Sequence, residues 1–273
     1  MKYPFADLEL AQRLEHAEAR ANAAFIDARA KAFPDWGAKW IEVAGAYAMF
    51  DGPTSPVTQT FGLGMFQPLT ADDFDELEQF FFARGAAAFH EVCPLADSTA
   101  FAFLGQRDYK PLEFSNVLYR PISADLRLDA PRNEAIQVRR IRPDEADLWA
   151  QTTFEGWSEF KEVADFLRDL GHVTARSQSL PFLAELDGKQ IAAGALSIDG
   201  EIALLAGAST IPSARRQGAQ NALLEQRLRY AATRGCTVAM MTTQCGSGSQ
   251  RNAERHGFRI AYTRTKWQLG LNQ

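Results

Sequence analysis

Cysteine is scarce in this sequence. Cys93, Cys236 and Cys245 are odd in number and form no Cys-x-x-Cys pair. That pattern does not point to a disulfide framework, and free thiols in a reducing compartment are expected. Histidine is scarce as well: His16, His90 and His172 are scattered without metal-ligand spacing, so no metal is expected. No run approaches the ~20 apolar residues of a membrane span. The opening Met1–Asp7 has one lysine and no apolar segment behind it, so no secretory leader and a cytoplasmic protein are expected. Positive charge is also short. The net charge is -5 with a pI near 5.5, which argues against nucleic acid as the main partner.

What is present is the balance of a globular protein, 46% hydrophobic and 23% charged over 273 residues, enough for one large domain or two ordinary ones. Leu14, Ala17, Ala21, Phe25 and Ala28 recur at helical spacing within a helix predicted from Leu8 to about Ala32. Strand-like runs cover Trp40–Phe50 and Val57–Phe66. A helix runs from about Ala71 to Arg84 with Thr70 as N-cap, and Phe80, Phe81 and Phe82 belong to the core. Strands at Ala86–Val92 and Leu112–Tyr119 flank a short helix at Ser98–Gln106. Arg120–Ala135, with Pro121 and Pro131, has no periodicity, and a linker is placed at 123–135. Beyond it come a strand at Ile136–Ile141, an irregular helical region at Glu155–Arg176, and strands at Phe182–Leu186, Ile191–Ile198 and Ile202–Thr210. A helix from about Gly218 to Thr233, a strand Thr237–Thr243, a short helix Ser249–Arg255 and a strand Ile260–Leu269 complete the chain.

The two halves repeat one another. Val43–Gly52 parallels Ile191–Gly200, Arg84-Gly85 parallels Arg234-Gly235, and Asp108–Phe114 parallels Gly257–Thr263. The order of strand pair, helix, strand, short helix, strand recurs after the linker, as two copies of one α/β unit would.

The copies differ where the third strand meets its helix. Pro212-Ser-Ala-Arg-Arg-Gln-Gly-Ala-Gln-Asn-Ala-Leu-Leu224 sets Arg215 and Arg216 before a helix N-terminus, the end at which cations are disfavoured. A solvated loop is one reading. A nucleotide loop is another, but neither Gly-x-x-x-x-Gly-Lys-Ser/Thr nor Gly-x-Gly-x-x-Gly is present. The third is a diphosphate on the backbone N–H groups of the helix end, with Gly218 and Ala219 permitting close approach and the arginines screening its charge. The first copy opens its helix with Asp72, Asp73, Asp75 and Glu76, which suit the dipole and repel a phosphate. Pro68–Gly85 spans 18 residues where Ile211–Gly235 spans 25, and the missing seven are assigned to the arginine loop.

Pro212-Ser-Ala-Arg215-x-x-Gly218-x-Gln220 resembles motif A of the GNAT superfamily of N-acetyltransferases. Ser249-Gln-Arg-Asn-Ala-Glu-Arg-His-Gly-Phe258 is similar to that superfamily's short helix and Gly-Phe turn. The resemblance covers about residues 136 to 270. It implies an α/β fold (an α+β mixed sheet) of two tandem GNAT-like units, each a mostly antiparallel central sheet flanked by helices. A degenerate copy without the CoA loop would occupy 1–122 and the acetyltransferase domain 136–273.

It also implies acetyl-CoA as co-substrate, with backbone groups at Thr210 and Ile211 pairing the pantetheine arm. The pyrophosphate would lie on Gln217, Gly218, Ala219 and Gln220, with Arg215 and Arg216 beside it. Asn252 would hydrogen-bond CoA or simply line its helix. Two departures stand out: Gln220 takes the place of a usual Gly or Ala, and Ala253 that of a tyrosine acid.

The general base and acid are therefore unknown, and water relaying the proton is the default. Glu201 reads as a strand-edge residue, His256 as a surface helix-end histidine, and Cys245 as a thiol without a partner base. Phe154, Trp157 and Phe160 with Glu155, Glu159 and Glu162 suit a cationic amine, and equally an amphipathic helix. The implied function is N-acetylation of a primary amine by direct attack in a ternary complex. A non-enzymatic acyl-CoA-binding sensor or assembly module is the alternative. The acceptor, a small molecule or peptide, is left open, as is the oligomeric state.

Overall fold

The computed structural model describes residues 2–126, 133–159 and 164–271; part of the linker, together with Phe160 and Glu162, lies outside the described residues. In chain order the first half gives α1 (Leu8–Ala32), β1 (Lys39–Val43), β2 (Ala46–Phe50), β3 (Gln59–Phe61), α2 (Ala71–Phe82), β4 (Ala88–Val92), α3 (Ser98–Gln106) and β5 (Lys110–Pro121). The second gives β6 (Gln137–Arg140), α4 (Ala146–Gly156), α5 (Ala164–Arg176), β7 (Leu180–Leu186), β8 (Lys189–Asp199), β9 (Ile202–Thr210), α6 (Ala219–Thr233), β10 (Val238–Gln244), α7 (Gly248–Arg255) and β11 (Arg259–Leu269). Contacts divide the chain into two units. One joins 2–119 with 242–253 and the segment from Arg259 on; the other joins 120–241 with 254–258. The sequence assigns everything after 136 to one domain, but α7 and β11 pack with the N-terminal unit.

In that N-terminal unit α1 begins where the Asp7 carboxylate accepts from the Leu10 N–H at 3.0 Å and ends with Arg29 and Lys31 in its last turn, both favourable to the dipole. The run Trp40–Phe50 is a hairpin, since Ala44 and Gly45 both take positive φ, 49° and 79°, between β1 and β2. β3 pairs β2 antiparallel and β4 parallel, at Thr60 and His90. β11 pairs antiparallel with β4 on one side and β5 on the other. Phe74, Leu77, Phe80 and Phe81 of α2 are buried against Ala46, Ala48, Ala88 and Val92, which places Phe80 and Phe81 in the core as expected. The other face, covered by α1, holds a buried charge cluster. Arg264 of β11, 1% exposed, reaches Glu18 at 2.8 Å and Glu15 at 3.4 Å, and the Tyr262 hydroxyl donates to Glu15 at 2.7 Å.

In the C-terminal unit β6, β7, β8 and β9 form an antiparallel ladder, and β10 joins β9 in parallel. The antiparallel-then-parallel step of β8, β9 and β10 repeats that of β2, β3 and β4, so the repeat read in the sequence is a repeat of topology. Trp149 of α4 is fully buried and donates its indole N–H to the Phe182 carbonyl at 3.0 Å, fixing that helix to the sheet. Gly171 lets α5 cross α4 closely, because a Cβ there would stand 2.5 Å from Ala150.

Candidate functional site

β9 is irregular midway. Ala193 faces Ser209 and Ala195 faces Ala206, so two steps on β8 match three on β9. The extra residue forms a β-bulge, which Gly207 accommodates at φ 61°. The parallel register with β10 covers only Ile202–Leu204 against Val238–Met240. Past Leu204 the ladder ends, and Ala206 and Gly207 are exposed. A β-strand whose edge is released from its neighbour presents N–H and C=O groups to whatever enters beside it.

The next residues show which groups are free. The Ile211 N–H donates to the Ile191 carbonyl at 3.0 Å, and the Ile211 carbonyl accepts from Ala214 N–H at 2.9 Å. Ile211, expected to pair the pantetheine arm, has both backbone groups engaged. Thr210 is the alternate position in an antiparallel ladder, so its backbone groups face away from β8.

The arginine loop then turns through Pro212–Ala214, a single 3-10 turn, and enters α6. Arg216 has φ 64° and Gly218 φ 97°, two left-handed residues just ahead of the helix. Alternation of this kind turns successive N–H groups to one side. A Cβ at Gly218 would meet Asn133 Cβ at 3.4 Å, and the Asn133 amide donates to the Gln217 carbonyl at 3.0 Å, which holds the loop's shape. Gly218 is the N-cap and brings no side chain. No acid stands in the first turn, and no side chain caps the end of α6. The helix therefore leaves its first N–H groups and its positive dipole end for an outside anion.

The N-terminal copy shows the opposite arrangement. There the Thr70 hydroxyl accepts from Asp73 N–H and the Asp73 carboxylate accepts from Thr70 N–H, a complete capping box. Its connection is not shorter, as the sequence comparison suggested. Residues 62–70 number nine against eight for 211–218, and the difference in length lies in a β3 that ends at Phe61 and a shorter α2.

Around the open end, Arg216 is exposed and without a hydrogen bond or ion pair among the described residues. Arg215 pairs with Glu159 at 2.7 Å, both side chains well exposed, and its Nε lies 3.5 Å from the Thr210 carbonyl. Gln220, the departure from the motif, turns its amide to the Thr210 hydroxyl at 2.7 Å, tying the end of β9 to the first turn of α6. Thr210, Ile211, Arg215, Arg216, Gln217, Gly218, Ala219 and Gln220 thus lie in one unit around one helix end. Asn252 is half-buried on α7, in the other unit. Gly156 brings the end of α4 onto β9, where a Cβ would stand 2.4 Å from Ser209 Oγ, so Phe154, Glu155 and Trp157 flank that strand.

Other candidates fall away from this place. Glu201 lies in the turn before β9, at the end opposite the loop. His256 is buried, not on the surface, and Arg120 donates to its carbonyl. Cys245 is exposed, with Sγ 3.7 Å from the Phe114 carbonyl in the N-terminal unit. His172 pairs with Asp147 at 3.0 Å. Among the described residues no group of three or more His, Cys, Asp or Glu is placed to hold a metal ion, and no helix is long and apolar enough to cross a membrane.

The sequence reading missed the Gly207 bulge and Arg227. That arginine falls in the apolar stripe of Leu224, Leu228 and Ala231 on α6, and a charge within such a stripe is the signal that marks it.

Residues 144–258 match the model of the acetyltransferase (GNAT) family. Over 130 residues, 42% of this chain and 84% of the relative, the sequence is 30% identical to an aminoglycoside N(6')-acetyltransferase type 1 of Klebsiella aerogenes. The chain belongs to the GNAT acetyltransferase family. It is an acyltransferase, and the bulged β9, the uncapped α6 and the loop between them lie within the residues that match the family. Two solved structures share the fold over most of the chain. A GCN5-related N-acetyltransferase from Kribbella flavida matches with TM-score 0.62 and 16% identity, over 92% of this chain and 94% of that one. A tandem GNAT protein from the clavulanic acid biosynthesis pathway matches with TM-score 0.58 and 12% identity, over 84% and 79%. The fold is that of two tandem GNAT-like units.

Proposed function

We propose that this GNAT protein transfers the acetyl group of acetyl-CoA to a primary amine of a small molecule, in a ternary complex, at the C-terminal copy. The observation that carries the reading is the uncapped N-terminus of α6 behind two left-handed residues, Arg216 and Gly218, beside a strand edge freed at Gly207. The diphosphate of CoA would rest on the N–H groups of Ala219 and Gln220, with Arg216 adding positive charge. The pantetheine arm would follow β9 as an added strand, using Thr210 and the residues before it. The acetyl carbonyl then falls by the bulge, where backbone N–H groups can polarise it.

The amine nitrogen attacks the thioester carbon with its lone pair, forming the C–N bond and a tetrahedral oxyanion. Collapse breaks the C–S bond and releases the CoA thiolate, which takes up a proton. The proton lost by the amine passes to water. Free amine, CoA thiol and acetamide balance without a side-chain nucleophile. A small-molecule acceptor is supported by the aminoglycoside acceptor in the name of the Klebsiella relative. Phe154, Trp157 and Glu155 at the end of α4 have the chemistry to receive a cation. The N-terminal copy, its helix end occupied by Thr70 and Asp73, is read as a copy that does not hold CoA.

The double variant Arg216→Glu with Gly218→Asp brings two carboxylates to the diphosphate position. Calorimetric titration is expected to show CoA binding abolished with the circular dichroism spectrum unchanged. Unaltered affinity would refute the assignment. Thiol release over a panel of amines, aminoglycosides included, tests the transfer. Tight CoA binding with no turnover on any of them would favour a sensor over an enzyme.

A further inference from the structure

Arg227 has no role in the scheme above, and its surroundings are unusual. It is 3% exposed, on the sheet-facing side of α6, and no carboxylate pairs with it among the described residues. Burial lowers its pKa to about 10, so it remains a cation at neutral pH. An isolated charge in an apolar interior survives only where it answers a need for donors. Arg227 Nη1 donates to the Ala195 carbonyl at 2.9 Å and to the Ala206 carbonyl at 3.3 Å, and its Nε donates to Leu223 O at 3.2 Å.

Those two carbonyls lie where the pairing of β8 with β9 slips. Ala195 turns its backbone groups to β9, where it faces Ala206 at the register slip; Pro181, opposite on β7, accepts from the Ile141 N–H and faces away from it. Gly194 makes the space: a Cβ there would stand 3.0 Å from Arg227 Nη1. A guanidinium offers spread, planar donors for three carbonyls, where an ammonium concentrates its charge at one point.

We propose that Arg227 is a positioning residue for acetyl transfer: by holding the Ala195 and Ala206 carbonyls it fixes the Gly207 bulge, and through the bulge it aims the N–H groups that face the thioester carbonyl. The catalytic part of this rests on the function proposed above; the structural part, that Arg227 fixes the bulge, does not. Binding of the CoA diphosphate takes place at the α6 N-terminus, two helical turns from Arg227, and is independent of it.

The test uses the full-length protein with Arg227→Lys and Arg227→Met. Hydrogen exchange is read over the peptide spanning 203–211, CoA affinity by titration, and turnover by thiol release. The expected result is faster exchange confined to that peptide, unchanged CoA affinity, and a kcat reduced about 100-fold in Arg227→Met and less in Arg227→Lys. If Arg227→Met does not fold, Arg227→Lys carries the comparison. Unchanged exchange across 203–211 overturns the proposal, as does a loss of turnover matched by an equal loss of CoA affinity. If the wild-type protein neither binds acetyl-CoA nor acetylates an amine, the proposed function fails, while the exchange data still decide whether Arg227 holds the bulge.

Discussion

His90 shows how far a single buried side chain is set by its neighbours. On β4 it is fully buried between the rings of Phe74, Phe81 and Tyr109, with Thr60 and Trp267 opposite on the adjoining strands. Its Nε2 meets the Tyr109 hydroxyl at 2.9 Å, and that hydroxyl donates to Glu78, which also holds Arg107. Burial drops the His90 pKa to about 3. The unfolded chain therefore takes up a proton below pH 6.5 that the folded one refuses. The stability His90 confers is complete above that pH and falls as pH drops toward 3, by about 1.4 kcal/mol per unit. Denaturant titrations between pH 7 and 4 should show that slope, and His90→Gln should flatten it; an unchanged slope would contradict the assignment. The sequence displayed His90 and Arg227 only as letters. Arg215, Arg216 and Gly218 were legible because their oddity is local, a cation and a left-handed residue at a helix start. Arg227 was not, because what it binds is contributed by β8 and β9.

At the level of elements, the acids Asp72, Asp73, Asp75 and Glu76 at the start of α2 and their absence from the start of α6 are legible in the sequence, whereas the shortened loop expected from the length difference is not found. The run Val57–Phe66 looks like one strand, yet β3 stops at Phe61 because Gly62 and Gly64 turn to φ 75° and 69°, and Phe66 folds back against Gly45 and Gly62. The bulge in β9 escaped for a related reason: Gly207 interrupts an apolar run without breaking its periodicity. The capping box of α2 invites a direct measurement. Thr70→Ala removes the acceptor for Asp73 N–H and should cost about 1 kcal/mol in thermal unfolding. CoA affinity should not change, and a parallel loss of affinity would show that the N-terminal helix end takes part in cofactor binding.

Over the whole molecule, the topology of each copy was legible and the allegiance of the last strand was not. Local pattern marks Arg259–Leu269 as a strand, but which neighbours it joins depends on pairing with β4 and β5, about 140 residues and more away. Arg264 fixes that choice. It is set among Glu15, Glu18 and Glu91, and burial raises the Glu15 pKa while the arginine opposes the rise. Arg264→Met would strand those carboxylates, and a loss of about 3–5 kcal/mol is expected in equilibrium unfolding. A loss below 1 kcal/mol would mean that the cluster is wet and adds little to the attachment of β11.

The place of β11 carries a consequence for biosynthesis. Chains usually fold in the order in which the ribosome releases them. Here the N-terminal unit lacks the strand between β4 and β5 until translation has passed Leu269, so α1, β4 and β5 must wait, with Glu15 uncompensated, while the later-made half can already close. The portion that is born first is finished last.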